Sequence, residues 1–306
     1  MRILELTMPF MVSANRFINL GVIPLLLVAY AVFLCIDHYR NVLIADIKHH
    51  IEGIQNVGSV DGFVFGGSNG YYSLSAETLS NYTGTKWYNA SMDSELVSGT
   101  RVIQDLSTHI DRMRVKYVVY SSILPYTTGR LTSYTTDIKV GGEGIKPFRS
   151  ILSYINNGIS LTSRNAEMRN GFGDIVFDAI KCDFTADNDF HFVHGRDISV
   201  ASLVDKAIYF ASIFPNASIL IVLPSIYYGG GLIFDEGISD QTLETKFYSV
   251  LSEKYFQNSM VKIIVQPPYA SITQVCDSPW HANKDGRVWR TQNLIEFMRQ
   301  VGFLSW

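Results

Sequence analysis

Five short runs rich in Val, Ile, Tyr and Phe constrain this chain more than any other feature: Gly62–Phe65, Lys86–Asn89, Val115–Tyr120, Ser218–Leu223 and Val261–Val265. Their lack of alternation between apolar and polar positions is the signature of strands covered on both faces, as in a parallel sheet. Between them lie stretches with helical character at Ser73–Ser80, Glu95–Arg114, Pro147–Asn156, Val200–Phe214, Asp240–Phe256 and Asp285–Val301. Strand and helix in alternation imply βαβ crossovers and a doubly wound α/β sheet. Thr127–Gly144 is polar and Gly-rich and reads as a loop or small insertion, and Gly171–Gly195 reads as a long excursion near the site.

Upstream of this pattern stands Phe17–Ile36, an uncharged run bracketed by Arg16 and Asp37. A helix of that length rises about 30 Å, the thickness of a bilayer core. The run is longer than the apolar part of a cleaved signal, and Asp37-His38-Tyr39-Arg40 is a poor cleavage site. The expectation is a tail at 1–16, a single-pass signal anchor at 17–36, a partly helical stalk at 37–59 and one α/β domain at 60–306. A buried core helix is the alternative, although such a helix normally carries a polar face. Basic residues flank the run on both sides, so orientation rests on the short tail staying inside and the large domain lying outside. A net charge of −3 gives no clustered basic face, which argues against nucleic acid as a partner. Cys35, Cys182 and Cys276 form no CxxC pair. Cys182 and Cys276 are read as separate buried thiols, with pairing in an oxidising compartment as the alternative.

The first strand runs into Gly66-Gly67-Ser68-Asn69-Gly70, with a helix expected soon after. In parallel α/β sheets ligands bind beyond the carboxyl ends of the strands, where Ser68 stands. The glycines permit a sharp turn and close approach, and helix N–H groups aimed at the same spot can stabilise an anionic oxygen. Three uses fit the turn: a nucleophilic serine, a phosphate cradle, or a plain structural turn. The Lys of a P-loop is missing, and GGSNG does not fit GxGxxG.

At the other end, Asp277 and His281 occupy the loop between the last strand and the last helix. A serine hydroxyl needs a base to take its proton, and an imidazole titrates in the right range. A carboxylate beside it fixes the tautomer and steadies the imidazolium. The competing use of His281 is a loop histidine bonded to backbone.

Together these ends resemble the SGNH (GDSL-like) hydrolase superfamily, above all its membrane-anchored bacterial branch linked to cell-surface polysaccharide modification. A first block of the form VFGGSN is matched within Phe63-Val64-Phe65-Gly66-Gly67-Ser68-Asn69. A last block, D..YHLN..G...RT..L, is matched by Asp277, His281, Asn283, Gly286, Arg290-Thr291 and Leu294. The resemblance extends over about residues 60 to 300, with its specific motifs at the two ends. It implies a three-layer flavodoxin-like parallel sheet, a Ser68–His281–Asp277 site without metal or cofactor, and ester hydrolysis or O-acyl (mostly acetyl) transfer on an extracytoplasmic glycan. It also implies an inner-membrane location, a periplasmic or extracellular domain, and partners among other envelope-biosynthesis proteins.

The middle blocks differ from the family. The second normally supplies a glycine N–H to the oxyanion hole, whereas this chain has Tyr88-Asn89-Ala90-Ser91-Met92-Asp93. The third normally offers an Asn, whereas Ser121-Ser122 stands here. The oxyanion-hole candidates are therefore Ser68, Asn69, Ser91 and Ser122. Trp280, Tyr269 and Asn283 are candidates for substrate contact, with core or rim packing as the equal alternative for the aromatic pair. These departures leave a second reading open: a non-catalytic, membrane-tethered accessory or glycan-binding protein. His191 and His194 make an HxxH, and Asp187-Asn188-Asp189 a DxD-like triplet; ordinary loop contacts are the expected use of both.

Overall fold

The computed structural model describes residues 22–92, 100–121, 169–177, 182, 200–223, 225, 227, 240–254, 260–267, 269–276 and 280–304. The chain divides into two compact units, one of residues 1–45 and 143–165, the other of Asp46–Gly142 with Ala166–Trp306.

Helix α1, Ile23–Val57, begins in the first unit and ends in the second. In its first turns Leu25, Leu26, Leu27, Tyr30 and Phe33 are each at least 60% exposed. Among the described residues no helix is long and apolar enough to cross a membrane. The apolar part of α1, Ile23–Ile36, rises only about 21 Å before Asp37, against about 30 Å for a bilayer core. Residues 17–21 of the expected span lie outside the described residues. The expected stalk is helical as far as Val57, and its second half is packed rather than free, with His50 and Ile54 buried.

The second unit is built on a five-stranded parallel sheet. Its strands are β1 Gly62–Gly66, β2 Trp87–Asn89, β3 Tyr117–Ser121, β4 Ser218–Leu223 and β5 Val261–Val265, in the order β2-β1-β3-β4-β5. All five strands expected from the sequence are present, within two residues at each end. The helices are α2 Ser68–Ser73, α3 Ala76–Thr83, α4 Thr100–Ser107, α5 Val200–Ile213, α6 Asp240–Lys254 and α7 Lys284–Gln300.

Side-chain alternation along β1 explains the layers. Phe63 and Phe65 point to one face, where they meet Phe214, just past α5, and Phe210 of α5 at ring separations of 6.3 and 5.3 Å. Val64 points to the other and joins Val119, Leu220 and Val222 against Leu79 of α3 and Leu294, Ile295 and Met298 of α7. Both faces of the sheet are thus covered, which is why the strands carry no polar alternation.

The helix expected over Ser73–Ser80 is instead two helices, α2 and α3, broken at Leu74-Ser75. Ser75 caps α3, its Oγ accepting from Thr78 N at 3.0 Å. The described part of the helix expected over Glu95–Arg114 stops at Ser107, whose hydroxyl bonds back to Gln104 O. Pro147–Asn156 lies outside the described residues.

His50 is fully buried on α1, its ring edge-on to Tyr88 at 5.8 Å. Burial first, then the nearby Arg169 cation and His49, hold its pKa well below 6.5. The folded state therefore keeps this imidazole neutral where the unfolded chain protonates it. Stability contributed here is intact above about pH 6.5 and falls below it by about 1.4 kcal/mol per pH unit. Urea titrations of wild type and His50→Leu between pH 7.5 and 5 should show the wild type losing more stability on acidification. Parallel pH profiles would refute this assignment.

Candidate active site

In a sheet of order 2-1-3-4-5 the crevice opens where the chain reverses direction, between β1 and β3. The serine turn sits at that point. Strand β1 ends at Gly66, Gly67 caps α2, and Ser68 opens that helix. Gly66 is obligatory because any Cβ there would collide with the Ser121 carbonyl on β3. Tyr71 N is bonded to Gly67 O at 3.1 Å, closing the first helical turn, so the N–H groups of Ser68, Asn69 and Gly70 precede the intrahelical ladder.

His281 lies on the loop entering α7 and is 9% exposed. Cys276 N donates to His281 O at 2.8 Å, and Val275 bridges Ala282, so the described residues on either side of 277–279 are pinned together. A disulfide joins Cys276 to Cys182. This corrects the expectation of two separate thiols: tertiary contact brings together two cysteines 94 residues apart. Tyr72 stacks on the His281 ring at 4.5 Å with a 17° tilt, and Trp280 meets that ring edge-on at 5.8 Å.

Three hydrogen bonds join the serine turn to the histidine loop. Asn69 Nδ2 donates to Trp280 O at 2.9 Å, Ser73 Oγ donates to the same oxygen at 3.3 Å, and Ala282 N donates to Ser73 Oγ at 3.2 Å. The neighbours of Ser68 and of His281 thus touch across more than 200 residues of sequence. Ser68 and His281 are not hydrogen-bonded to each other. Asp277 and Ser122 lie outside the described residues, as do His191, His194 and the Asp187–Asp189 triplet.

Several expected roles change. The Ser91 N–H donates to Asn89 Oδ1 at 3.0 Å and is therefore committed away from any oxyanion. The Asn69 side chain is likewise spent, on Trp280 O. Asn283 caps α7, its Oδ1 accepting from Gly286 N at 3.0 Å and its amide donating to Thr273 O. Tyr269 is 3% exposed, with its phenol pKa raised by burial, so its ring is not a stacking platform. Trp280 remains half-buried beside His281.

A second set of residues, marked by no motif, carries the turn from behind. Asp174, fully buried, accepts from Ser75 Oγ at 2.8 Å, Ala76 N at 2.8 Å, Glu77 N at 2.9 Å and Asn89 Nδ2 at 3.2 Å. Asn89 Nδ2 also reaches Leu74 O and Gly70 O at 3.1 and 3.3 Å, gripping the C-terminal end of α2. Arg169 donates to Ser91 O at 3.0 Å and lies over the Tyr71 ring at 4.4 Å. The 171–177 part of the expected excursion thus does reach the serine turn, through Asp174.

No family model matches the chain, and no curated protein does. One similar solved structure is an acetyl xylan esterase from the rumen bacterium Butyrivibrio proteoclasticus, at 11% identity and a TM-score of 0.40. The match covers 80% of this chain and 65% of that one, so the chain spans under two thirds of that protein's length.

Proposed function

We propose that the chain is a membrane-anchored serine esterase or O-acyltransferase, most often handling acetyl groups, that acts on an extracytoplasmic glycan. The observation that carries this reading is the meeting of the serine turn and the histidine loop at the β1/β3 crevice, through Asn69, Ser73, Trp280 and Ala282. In this reading Ser68 Oγ attacks the acyl carbonyl as its proton passes to His281. The tetrahedral oxyanion collapses, the alcohol leaves with the proton from His281, and an acyl-Ser68 ester remains. Water then releases the acid, or a sugar hydroxyl takes the acyl group, with His281 acting as base again. Asp277 orients the imidazole. The N–H groups at the start of α2 serve the oxyanion, and Trp280 offers an aromatic face to a sugar ring.

Two features support an extracytoplasmic, anchored placement. The Cys182–Cys276 disulfide suits an oxidising compartment. The exposed apolar side chains from Ile23 to Leu34 suit burial in lipid, continuing the apolar sequence from Phe17.

A non-catalytic, tethered glycan-binding protein is the second reading. It is favoured by the commitment of the Ser91 N–H to Asn89, which removes one oxyanion donor. A fluorophosphonate probe separates the two. The full chain should be labelled at Ser68, located by peptide mass, and labelling should vanish in Ser68→Ala. An unlabelled wild type, or equal labelling of both proteins, would remove the nucleophile and leave the binding protein.

A further inference from the structure

We infer that Arg290 is a positioning residue that holds the serine turn and the histidine loop in register through Asn69. The inference rests on reading Ser68 and His281 as the reacting pair. Arg290 lies on α7 and is fully buried. Its Nη1 donates to Asn69 Oδ1 at 2.8 Å and to Asn69 O at 3.3 Å, and its Nη2 donates to Ser121 Oγ at 2.8 Å. Its Nε donates to Gln266 Oε1, and Gln266 Nε2 returns a bond to Arg290 O at 3.1 Å. One planar group thus gathers the turn after β1, the last residue of β3 and the first residue after β5.

Asn69 is the point where this clamp meets the site. Its Oδ1 accepts from Arg290 and from Ser121 Oγ, the latter at 2.6 Å. Two donors on that oxygen fix the amide flip, which turns Nδ2 toward Trp280 O at 2.9 Å. Arg290 therefore sets the orientation of a side chain one residue from Ser68, and that side chain holds the backbone one residue from His281.

The named acceptors, Asn69 Oδ1 and O, Ser121 Oγ and Gln266 Oε1, are all uncharged oxygens. An apolar residue with a cap elsewhere would fill this space with less desolvation. A fixed fork of donors is what the arrangement uses, and an ammonium cannot reproduce its directions.

The test compares full-length wild type with Arg290→Lys, Asn69→Ala and their combination. Amide hydrogen exchange should quicken at least ten-fold in Ser68–Ser73 and Trp280–Ala282 of Arg290→Lys, while β4 and α5 stay at wild-type rates. The maximal rate of fluorophosphonate labelling at Ser68 should fall ten- to hundred-fold with the half-saturating probe concentration unchanged. The combined variant should be no slower than Asn69→Ala alone, as expected of residues acting through one another. Unchanged exchange in the two segments would overturn the inference whatever the labelling does. Quickened exchange in a protein whose wild type takes no probe would leave the clamp standing and remove the nucleophile. If Arg290→Lys fails to fold, Ser121→Ala, which removes one guanidinium partner at small loss of volume, is scored by the same two measurements.

Discussion

Exchanging His281 for alanine is expected to lower ester turnover by about four to six orders of magnitude, with Ser68→Ala doing the same and the double variant falling no further. A serine hydroxyl without a base is almost wholly protonated at neutral pH, and an imidazole without its serine has nothing to activate. The two therefore fail as a unit, and the residual rate in all three variants reflects binding and the α2 N–H groups. Values of kcat and KM on p-nitrophenyl acetate check this directly. The loss belongs in kcat, since neither side chain is asked to hold the ground-state ester. Losses in the two single variants that add up in the double would mean two independent roles, and the pair would have to be given up. Tyr72 lies against the His281 imidazole and restricts the orientations open to that ring.

The largest effect on stability is expected at Asp174. Replacing it by alanine leaves the Ser75 hydroxyl, the Ala76 and Glu77 N–H groups and the Asn89 amide without their shared buried acceptor. Hydrogen bonds to a charged group are worth about 1.5–3 kcal/mol each, but four sharing one carboxylate do not add. A loss of about 3–4 kcal/mol follows, and a Tm lower by roughly 10 °C for a unit of this size. Asp174→Asn retains one acceptor oxygen and turns an NH2 toward donors, so it should fall between the two. Differential scanning calorimetry on the three proteins gives the answer, and a Tm within 2 °C of wild type for the alanine variant would show that those donors find other partners. Because Asn89 grips Gly70 O and Leu74 O, the same variant should loosen α2.

The sheet was legible because its strands are buried on both sides. Phe63, Val64 and Phe65 read as a continuous apolar run, since α5 covers one face and α7 with α3 the other. The placement of Ser68 and His281 at strand-to-helix junctions was legible because glycines or a cap stand beside each. What failed to show was long-range. The break at Leu74-Ser75 depends on a carboxylate 99 residues further on, and nothing near Ser75 announces it. Asn89 looked like the absence of a glycine; in the fold it is a four-way brace that consumes the Ser91 N–H. Arg290 belonged to a recognisable block, yet its task appears only when β1, β3 and β5 converge on it. Cys182 and Cys276 were misread as separate thiols, since thiol burial and disulfide formation leave the same mark on a sequence.

That covalent tie bears on how the protein has to be prepared. Cys276, whose N–H holds the His281 carbonyl, is anchored by a sulfur bond to Cys182. Material made in a reducing cytosol, or kept in thiol-containing buffer, would carry its imidazole on an unmoored loop. Exported and air-oxidised protein is therefore the sample on which idleness or competence of the serine should be judged, and a blank assay on reduced protein would speak only for the chemistry of the buffer.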